Sequence, residues 1–521
     1  MNKDTSKKKI IIIGGGIAGL SAGIYGQKCG FDTEIYEKNP NVGGLCTSWY
    51  RKDIKIDGCI HWLTGTRKGH NINKMWKHVN AFDQEDIIRG DNFGTVEYKG
   101  KKITFWFDLN RLEKELVEIS PKDKRIIHKL RKMVEKFTKM QLPVEQPLKT
   151  LNIFQFMKIG IKMIPYLPAF LYAKKISQKD FAKKFKSKEL VYILSRIVPG
   201  DGNLYSALYA FATNVAGNGG VPKGGSTYII ERMEKEYLAN GGTIHLNSEV
   251  EEFVMKRHEV SGIKLKNGEV KTADYFVTSC DAYEVIRRFL KKDPKHRDVH
   301  LLKRFTHPLK FPAPSCVYVS FKVKADVINS LGLTSTYEFS CEPYHVGKLI
   351  EESVKMRNYS YDPSFINKDG YVLMNVLIHQ SDKDFYYWEK LKKSYPLYLK
   401  EKQRVADDVK DRIEEHFPTL KGELEVIDVC TPMTYQRYVY AYRGAYMSWS
   451  FTERGRQLMH SSSIKGINNL IFSGQWIIMP GGIPIALMSG KFAIQLLLKK
   501  EHKSVVVSKY MNVKEEGNNV K

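Results

Sequence analysis

Cysteine is scarce and scattered in this sequence. The seven, at 29, 46, 59, 280, 316, 341 and 430, are odd in number and include no Cys-x-x-Cys pair. That excludes a disulfide scaffold, a zinc ribbon and a redox dithiol, and it suits a reducing cytoplasm. No uninterrupted apolar run reaches the ~18 residues of a spanning helix. The run at residues 10–13 is also too short for a signal-peptide core. Acidic residues are in deficit, with 57 Asp and Glu against 83 Lys and Arg, a formal charge of +26. No long internal repeat is present. What the chain does have is 42% hydrophobic and 12% aromatic residues over 521 positions. That excludes a disordered or collagen-like chain and allows a sizeable core in more than one domain.

The positive excess favours a polyanionic neighbour, either nucleic acid or an anionic membrane surface, over a neutral one. The lysines are spread, as at 7–9, 183–188, 291–295 and 499–503. A nucleic-acid binder would gather them in one arm or helix, and no nucleic-acid module signature accompanies them. Charge alone therefore does not choose the partner. His296 and His300 have the spacing of helical metal ligands, but Arg297 stands where an acid is expected and the stretch is cationic, so no metal is expected.

The N-terminal segment predicts a βαβ unit. Residues 9–13 are a β-branched run suited to a strand buried on both faces. A small-residue helix at 20–29 and a second strand at 32–36 follow. Between the first strand and the helix lies Gly14-Gly15-Gly16-Ile17-Ala18-Gly19, a G-x-G-x-x-G. Gly14, Gly16 and Gly19 permit a tight turn and close approach of backbone to a pyrophosphate at the helix N-terminus. Glu37 lies about 20 residues on, at the end of the second strand, where an acid accepts ribose hydroxyls and disfavours a 2′-phosphate. A dinucleotide site follows from this context. The glycine motif by itself does not separate NAD from FAD.

Residues 103–213 read as helical and lysine-rich. An α/β style returns with a helix at 227–240, strands at 243–246, 250–255, 260–265 and 275–278, and an Asn267-Gly268 hairpin turn. Further strands are expected at 316–323, 371–378 and 424–429. A last strand-to-helix unit covers 469–498, and a polar, frayed tail covers 501–521.

Two more segments decide the cofactor. Asn41-Val42-Gly43-Gly44-Leu45 follows the second strand, and Asn469 to Trp476 leads into Pro480-Gly481-Gly482-Ile483-Pro484. With Pro222 to Ser226, Asn247 to Val250, Cys280-Asp281-Ala282 and Thr431 to Thr434, these make the chain resemble the FAD-dependent phytoene desaturase, carotenoid isomerase and retinol saturase family over most of its length. Asp57-Gly58-Cys59-Ile60-His61-Trp62 is similar to the corresponding retinol saturase segment.

The resemblance implies an α/β fold: a discontinuous Rossmann-like FAD-binding domain of the glutathione-reductase type (7–75, 215–285 and 445–500) with an inserted α+β substrate domain (76–214 and 286–444). It implies that Gly43 and Gly44 face the flavin, that the Val250 backbone meets the adenine end, that Gly474 and Gln475 lie near the pyrophosphate and that Gly482 and Ile483 lie near the ring. Gln475 departs from the acid many relatives carry there, which removes a charge-assisted acceptor.

The activity implied is FAD-dependent oxidoreduction at carbon–carbon double bonds of a hydrophobic polyene, such as a carotenoid, retinoid or unsaturated lipid, by hydride transfer at flavin N5. It covers saturation, desaturation and isomerisation, and the Gly58 to His61 segment favours saturation. A flavin amine oxidase and a non-catalytic basic nucleic-acid or membrane-surface protein are the alternatives.

His61 is the candidate proton carrier. A histidine that only packs beside the flavin is the competing reading, and Tyr205, Tyr435 and Tyr446 are similar cases. Residues 154–172 suit an interfacial segment that buries Phe154, Ile161, Ile164, Leu167 and Phe170 while Lys158 and Lys162 reach lipid headgroups. An ordinary packed helix is the alternative. Together these features suggest a cytoplasmic protein with a peripheral contact to an anionic inner-membrane face.

Overall fold

The computed structural model describes residues 7–198, 202–290, 299–452, 455, 459–464 and 466–511. His296, of the histidine pair considered above, lies outside the described residues.

Five parallel strands form the nucleotide-binding sheet: β1 (Lys9–Ile13), β2 (Asp32–Tyr36), β3 (Thr243–His245), β4 (Tyr275–Thr278) and β5 (Leu470–Phe472), in the order β3-β2-β1-β4-β5. The β-branched run of β1 is buried on both faces, as a central parallel strand requires. Ile10 and Ile12 point into one core with Leu20 and Ile24, under α1 (Ile17–Lys28), α2 (Gly225–Ala239) and α3 (Ile483–Lys500). Ile11 and Ile13 point the other way, against Val250, Phe253 and Ile263 of a three-stranded antiparallel sheet. Its hairpin turns at Asn267-Gly268, where Gly268 takes φ 91°.

α1 and α3 meet backbone to backbone. A Cβ on Gly490 would lie 2.4 Å from the Ala18 carbonyl oxygen and 2.7 Å from the Ala22 nitrogen. Ser21 Oγ donates to Leu487 O across the same crossing at 2.7 Å.

A second, seven-stranded sheet runs in the order Glu425–Cys430, Ser315–Lys324, Tyr371–Gln380, Leu349–Asn358, Thr336–Val346, Asn92–Tyr98, Lys101–Trp106. Period-2 alternation divides its faces. Val317, Val319, Phe339, Val354 and Val376 pack on Val405, Val409 and Ile413 of the helix Tyr395–His416. The opposite face presents Tyr318, Lys355, Arg357 and Asn375 to the cavity described below. A helical layer completes the fold, with Phe137, Tyr205, Leu208 and Phe211 at its core.

Several expectations need correction. The stretch 103–213 is not helical from its start: Lys101–Trp106 is a strand paired with Asn92–Tyr98, because Ile103 and Phe105 alternate inward. The strands Thr336–Val346 and Leu349–Asn358 were not anticipated, since their cavity-facing positions are polar. α1 begins at Ile17, directly after Gly16 as its N-cap. Residues 501–511 are not frayed: Val507 and Met511 are buried, and Gln495 Nε2 donates to Val505 O at 2.7 Å.

In an exposed helix, glycine to alanine stabilises by up to about 1 kcal/mol. At the α1–α3 crossing the sign reverses: Gly490→Ala is expected to destabilise by about 1–3 kcal/mol through overpacking, read as a lowered urea midpoint at unchanged m-value.

Candidate active site

The turn from β1 to α1 is built from backbone. Gly14 takes φ 98°, and its N–H donates to Tyr36 O at 2.9 Å. A Cβ on Gly19 would stand 1.9 Å from the Gly14 carbonyl oxygen, so Gly19 is what lets α1 close on the turn. Gly43 N–H donates to Gly15 O at 2.9 Å, and Gly16 bridges Gly43, which sets the two glycine segments side by side. Glu37 is buried; one carboxylate oxygen accepts Gly15 N–H at 2.7 Å and the other accepts Asn39 N–H at 2.9 Å. A carboxylate has about four acceptor sites, so Glu37 can still take ribose hydroxyls.

These residues fit FAD. Gly16 caps α1 and Gly482 caps α3, neither with a side-chain hydrogen bond, so two helix N-termini offer free N–H groups to one cavity. Gln475 Oε1 accepts Gly482 N–H at 3.2 Å and fixes the second of these turns. On the same wall, Ser279 Oγ and Ser448 Oγ are buried without a partner.

The cavity encloses about 1640 Å³. Its wall includes His61, Gly14, Gly16, Glu37, Gly43, Gly44, Val250, Gly474, Gln475, Gly482 and Ile483. Gly19 lies beneath the turn and not on the wall. Tyr205, Tyr435 and Tyr446 are also brought to it.

His61 follows the strand Ile54–Asp57. Asp57, fully buried, accepts from Cys59 N and Ile60 N with one oxygen and from Ser226 N with the other. Ser226 Oγ donates to the first oxygen as well, at 2.7 Å. The loop so held places His61 Nε2 3.2 Å from Tyr318 Oη, while Arg357 Nη2 donates to His61 O at 2.9 Å. Burial within the protein, followed by the charges of Arg357 and Lys355, keeps the imidazole well below the usual histidine range and therefore neutral. Tyr318 and Arg357 escaped the sequence reading. Their only sequence signal is a polar residue at alternate positions of a strand.

One flank of the cavity is apolar. The helices Ile153–Met163 and Leu167–Ala173 carry Phe154 at 78% exposure and Ile161 at 64%. Met163, Tyr166, Leu167 and Phe170 reach the cavity wall from the same segment. Phe170 departs from its expected lipid-facing place, because its ring packs edge-on against Tyr205 with centroids 4.9 Å apart.

Residues 17–498 match the model of the flavin containing amine oxidoreductases. The chain belongs to that family. It is an FAD-dependent oxidoreductase, with FAD as its cofactor. The curated relatives it resembles include carotenoid desaturases and isomerases. It is 23% identical to a chloroplastic prolycopene isomerase of Daucus carota over 84% of this chain and 71% of that one. It is 20% identical to a 4,4'-diapophytoene desaturase of Methylomonas sp over 95% and 96%. A lycopene-forming phytoene desaturase of Pseudescherichia vulneris is 22% identical over 55% of this chain and 58% of its own. Among solved structures, an oxidoreductase from Methanosarcina mazei aligns with a TM-score of 0.58 at 16% identity, covering 92% of this chain and 99% of that one. A putrescine oxidase variant aligns at 0.52 and 14%, covering 95% and 99%. At these identities the two structures share the fold.

Removing the Glu37 carboxylate from this flavoprotein deprives the Gly15 and Asn39 N–H groups of their acceptor. Glu37→Ala is expected to weaken FAD binding roughly 10- to 100-fold, as loss of charge-assisted hydrogen bonds predicts. Glu37→Gln gives little rescue, since an amide NH2 would face an N–H donor. Flavin retained through gel filtration and a fluorescence titration of the apoprotein measure both.

Proposed function

We propose that this flavoprotein acts on carbon–carbon double bonds of a hydrophobic polyene or unsaturated lipid, taken from a membrane surface. The observation that carries the reading is the cavity. At about 1640 Å³ it exceeds the roughly 300–1,000 Å³ of an ordinary ligand site, and it joins the glycine cradle to an apolar wall of Leu167, Phe170, Tyr205 and Phe451. Such a space takes the cofactor and an extended apolar chain together. The carotenoid-type relatives support the same reading.

Bound FAD supplies hydride acceptance or donation. The chain's own residues then have three tasks. The glycine turns and Glu37 hold the cofactor. The aromatic wall orients the substrate and excludes water. Neutral His61, hydrogen-bonded to Tyr318, can hold or pass a proton at Nε2. An amine oxidase is less well served beside His61, since a protonated amine there would meet Arg357, which has no carboxylate within ion-pair distance among the described residues.

The deciding experiment incubates the purified flavoprotein, oxidised and then anaerobically reduced, with carotenoid, retinoid and fatty-acid panels. Products lighter by two mass units indicate desaturation, heavier by two saturation, and unchanged mass with a shifted retention time isomerisation. Turnover of amines with peroxide release, and no polyene conversion, overturns the proposal. For the converted substrate, kcat/KM is expected to show no His61 ionisation near pH 6.5, because the imidazole is already neutral there. His61→Gln should lower kcat with flavin retained, and unchanged turnover would remove His61 from the chemistry.

The exposed apolar helix face is the route for such a substrate. Ile153, Phe154, Phe156, Met157 and Ile161 are exposed beside Lys158 and Lys162, and the segment continues into the cavity wall. A lipid surface would bury the first group while the lysines meet headgroups. Replacing Phe154 and Ile161 together by glutamate is expected to reduce sedimentation with anionic vesicles by at least about tenfold, given about 1.5–3 kcal/mol per buried apolar side chain. Activity on a detergent-dispersed substrate should persist.

A further inference from the structure

Arg357 is a cation inside the cavity with no counter-ion among the described residues. It lies on the cavity-facing side of the strand Leu349–Asn358, in register with Thr336 on one neighbouring strand and Asn375 on the other. Both neighbours are neutral. Nη2 donates to His61 O and to Tyr361 Oη, each at 2.9 Å. Nε is buried without a partner among the described residues. The rings of Tyr359 and Tyr361 lie 5.2 and 5.6 Å from the guanidinium carbon.

Two carboxylates of the same region are committed elsewhere, and Glu351, on the same strand and cavity wall, makes no ion pair with Arg357. Asp57 is held by Cys59, Ile60 and Ser226. Glu338 pairs with Arg196 at 3.0 Å and Lys355 at 3.5 Å. An arginine does not shed its charge. A charge taken from water without a hydrogen-bonded counter-ion is costly, and two neutral acceptors and two aromatic faces compensate only in part. A guanidinium accepts a carboxylate in planar, charge-assisted geometry.

We propose that Arg357 receives the anionic end of the substrate, so that the chain oxidised, reduced or isomerised here is an unsaturated acid with a terminal carboxylate. This rests on the proposed polyene or unsaturated-lipid reading and narrows its substrate class. The arrangement suits a lipid donor. In a bilayer the carboxylate of such an acid already lies at the aqueous interface, so it enters the cavity first and the apolar chain follows along Leu167 and Phe170. Because the same guanidinium holds the His61 carbonyl, the anchored end also fixes how far along the chain the double bonds lie from His61.

The test uses the FAD-loaded protein and two matched pairs, linoleate with methyl linoleate and retinoate with methyl retinoate. Each is titrated at pH 8.5 while the visible flavin spectrum is followed. The acid of at least one pair is expected to bind about tenfold or more tightly than its ester. Arg357→Met should bring acid and ester to the same affinity, and Arg357→Lys should restore part of the difference. Equal affinity in the wild type overturns the assignment while leaving the polyene reading in place, as does an acid preference that survives in Arg357→Met. Failure of acids, esters and the hydrocarbon β-carotene alike to perturb the flavin overturns both. Should Arg357→Met fail to retain FAD, the wild-type acid–ester comparison and Arg357→Lys decide the matter.

Discussion

A buried carboxylate pins the loop that carries His61 to the start of α2. Asp57 ends a strand whose Ile54 and Ile56 pack into the core of the seven-stranded sheet, and its oxygens take the N–H groups of Cys59 and Ile60 together with the amide and hydroxyl of Ser226, at the start of α2. Its own carbonyl lies 3.5 Å from Tyr318 Oη on the seven-stranded sheet. Four donors around one anion make a buried charge tolerable. Gly225 shows how tight the joint is, since a Cβ there would fall 2.1 Å from Asp57 Oδ2. The loop that follows has little freedom, and His61 is delivered to the cavity as a consequence.

The glycine turns and the seven-stranded sheet obey opposite rules. Around the cradle, side chains are removed so that backbone N–H groups and helix ends can meet a diphosphate. On the sheet, side chains are added: alternate residues project hydroxyls, amides and charges into the cavity, while the intervening ones form an apolar core beneath. The chemistry assigned to the molecule lies where these two surfaces face one another. Lys158 and Lys162 lie on the exposed apolar helix, beside the residues proposed to enter lipid.

The nucleotide half was largely legible in the sequence. β1, α1 and β2 follow one another in short order, and the glycines and Glu37 act within some 25 residues, so spacing carries the information. The same holds for the turns at Gly43-Gly44 and Gly481-Gly482, which glycine marks. The half built on the seven-stranded sheet was less legible. The strands Thr336–Val346 and Leu349–Asn358 carry polar residues on their cavity face, so neither displays the hydrophobic run that identifies a buried strand. Phe170 and the docked residues 501–511 were misplaced for a related reason: what a side chain packs against is not a local property.

Sequence alone determined the glycine turns, the acid beside them and the family resemblance, because each rests on short motifs of neighbouring residues. Tertiary structure decided the rest of the site. His61 meets Tyr318 across 257 positions and Arg357 across 296, and only strand register and the Asp57 joint bring the three together. An arginine on a strand reads as an exposed charge until the fold places it on a cavity wall without an acid beside it.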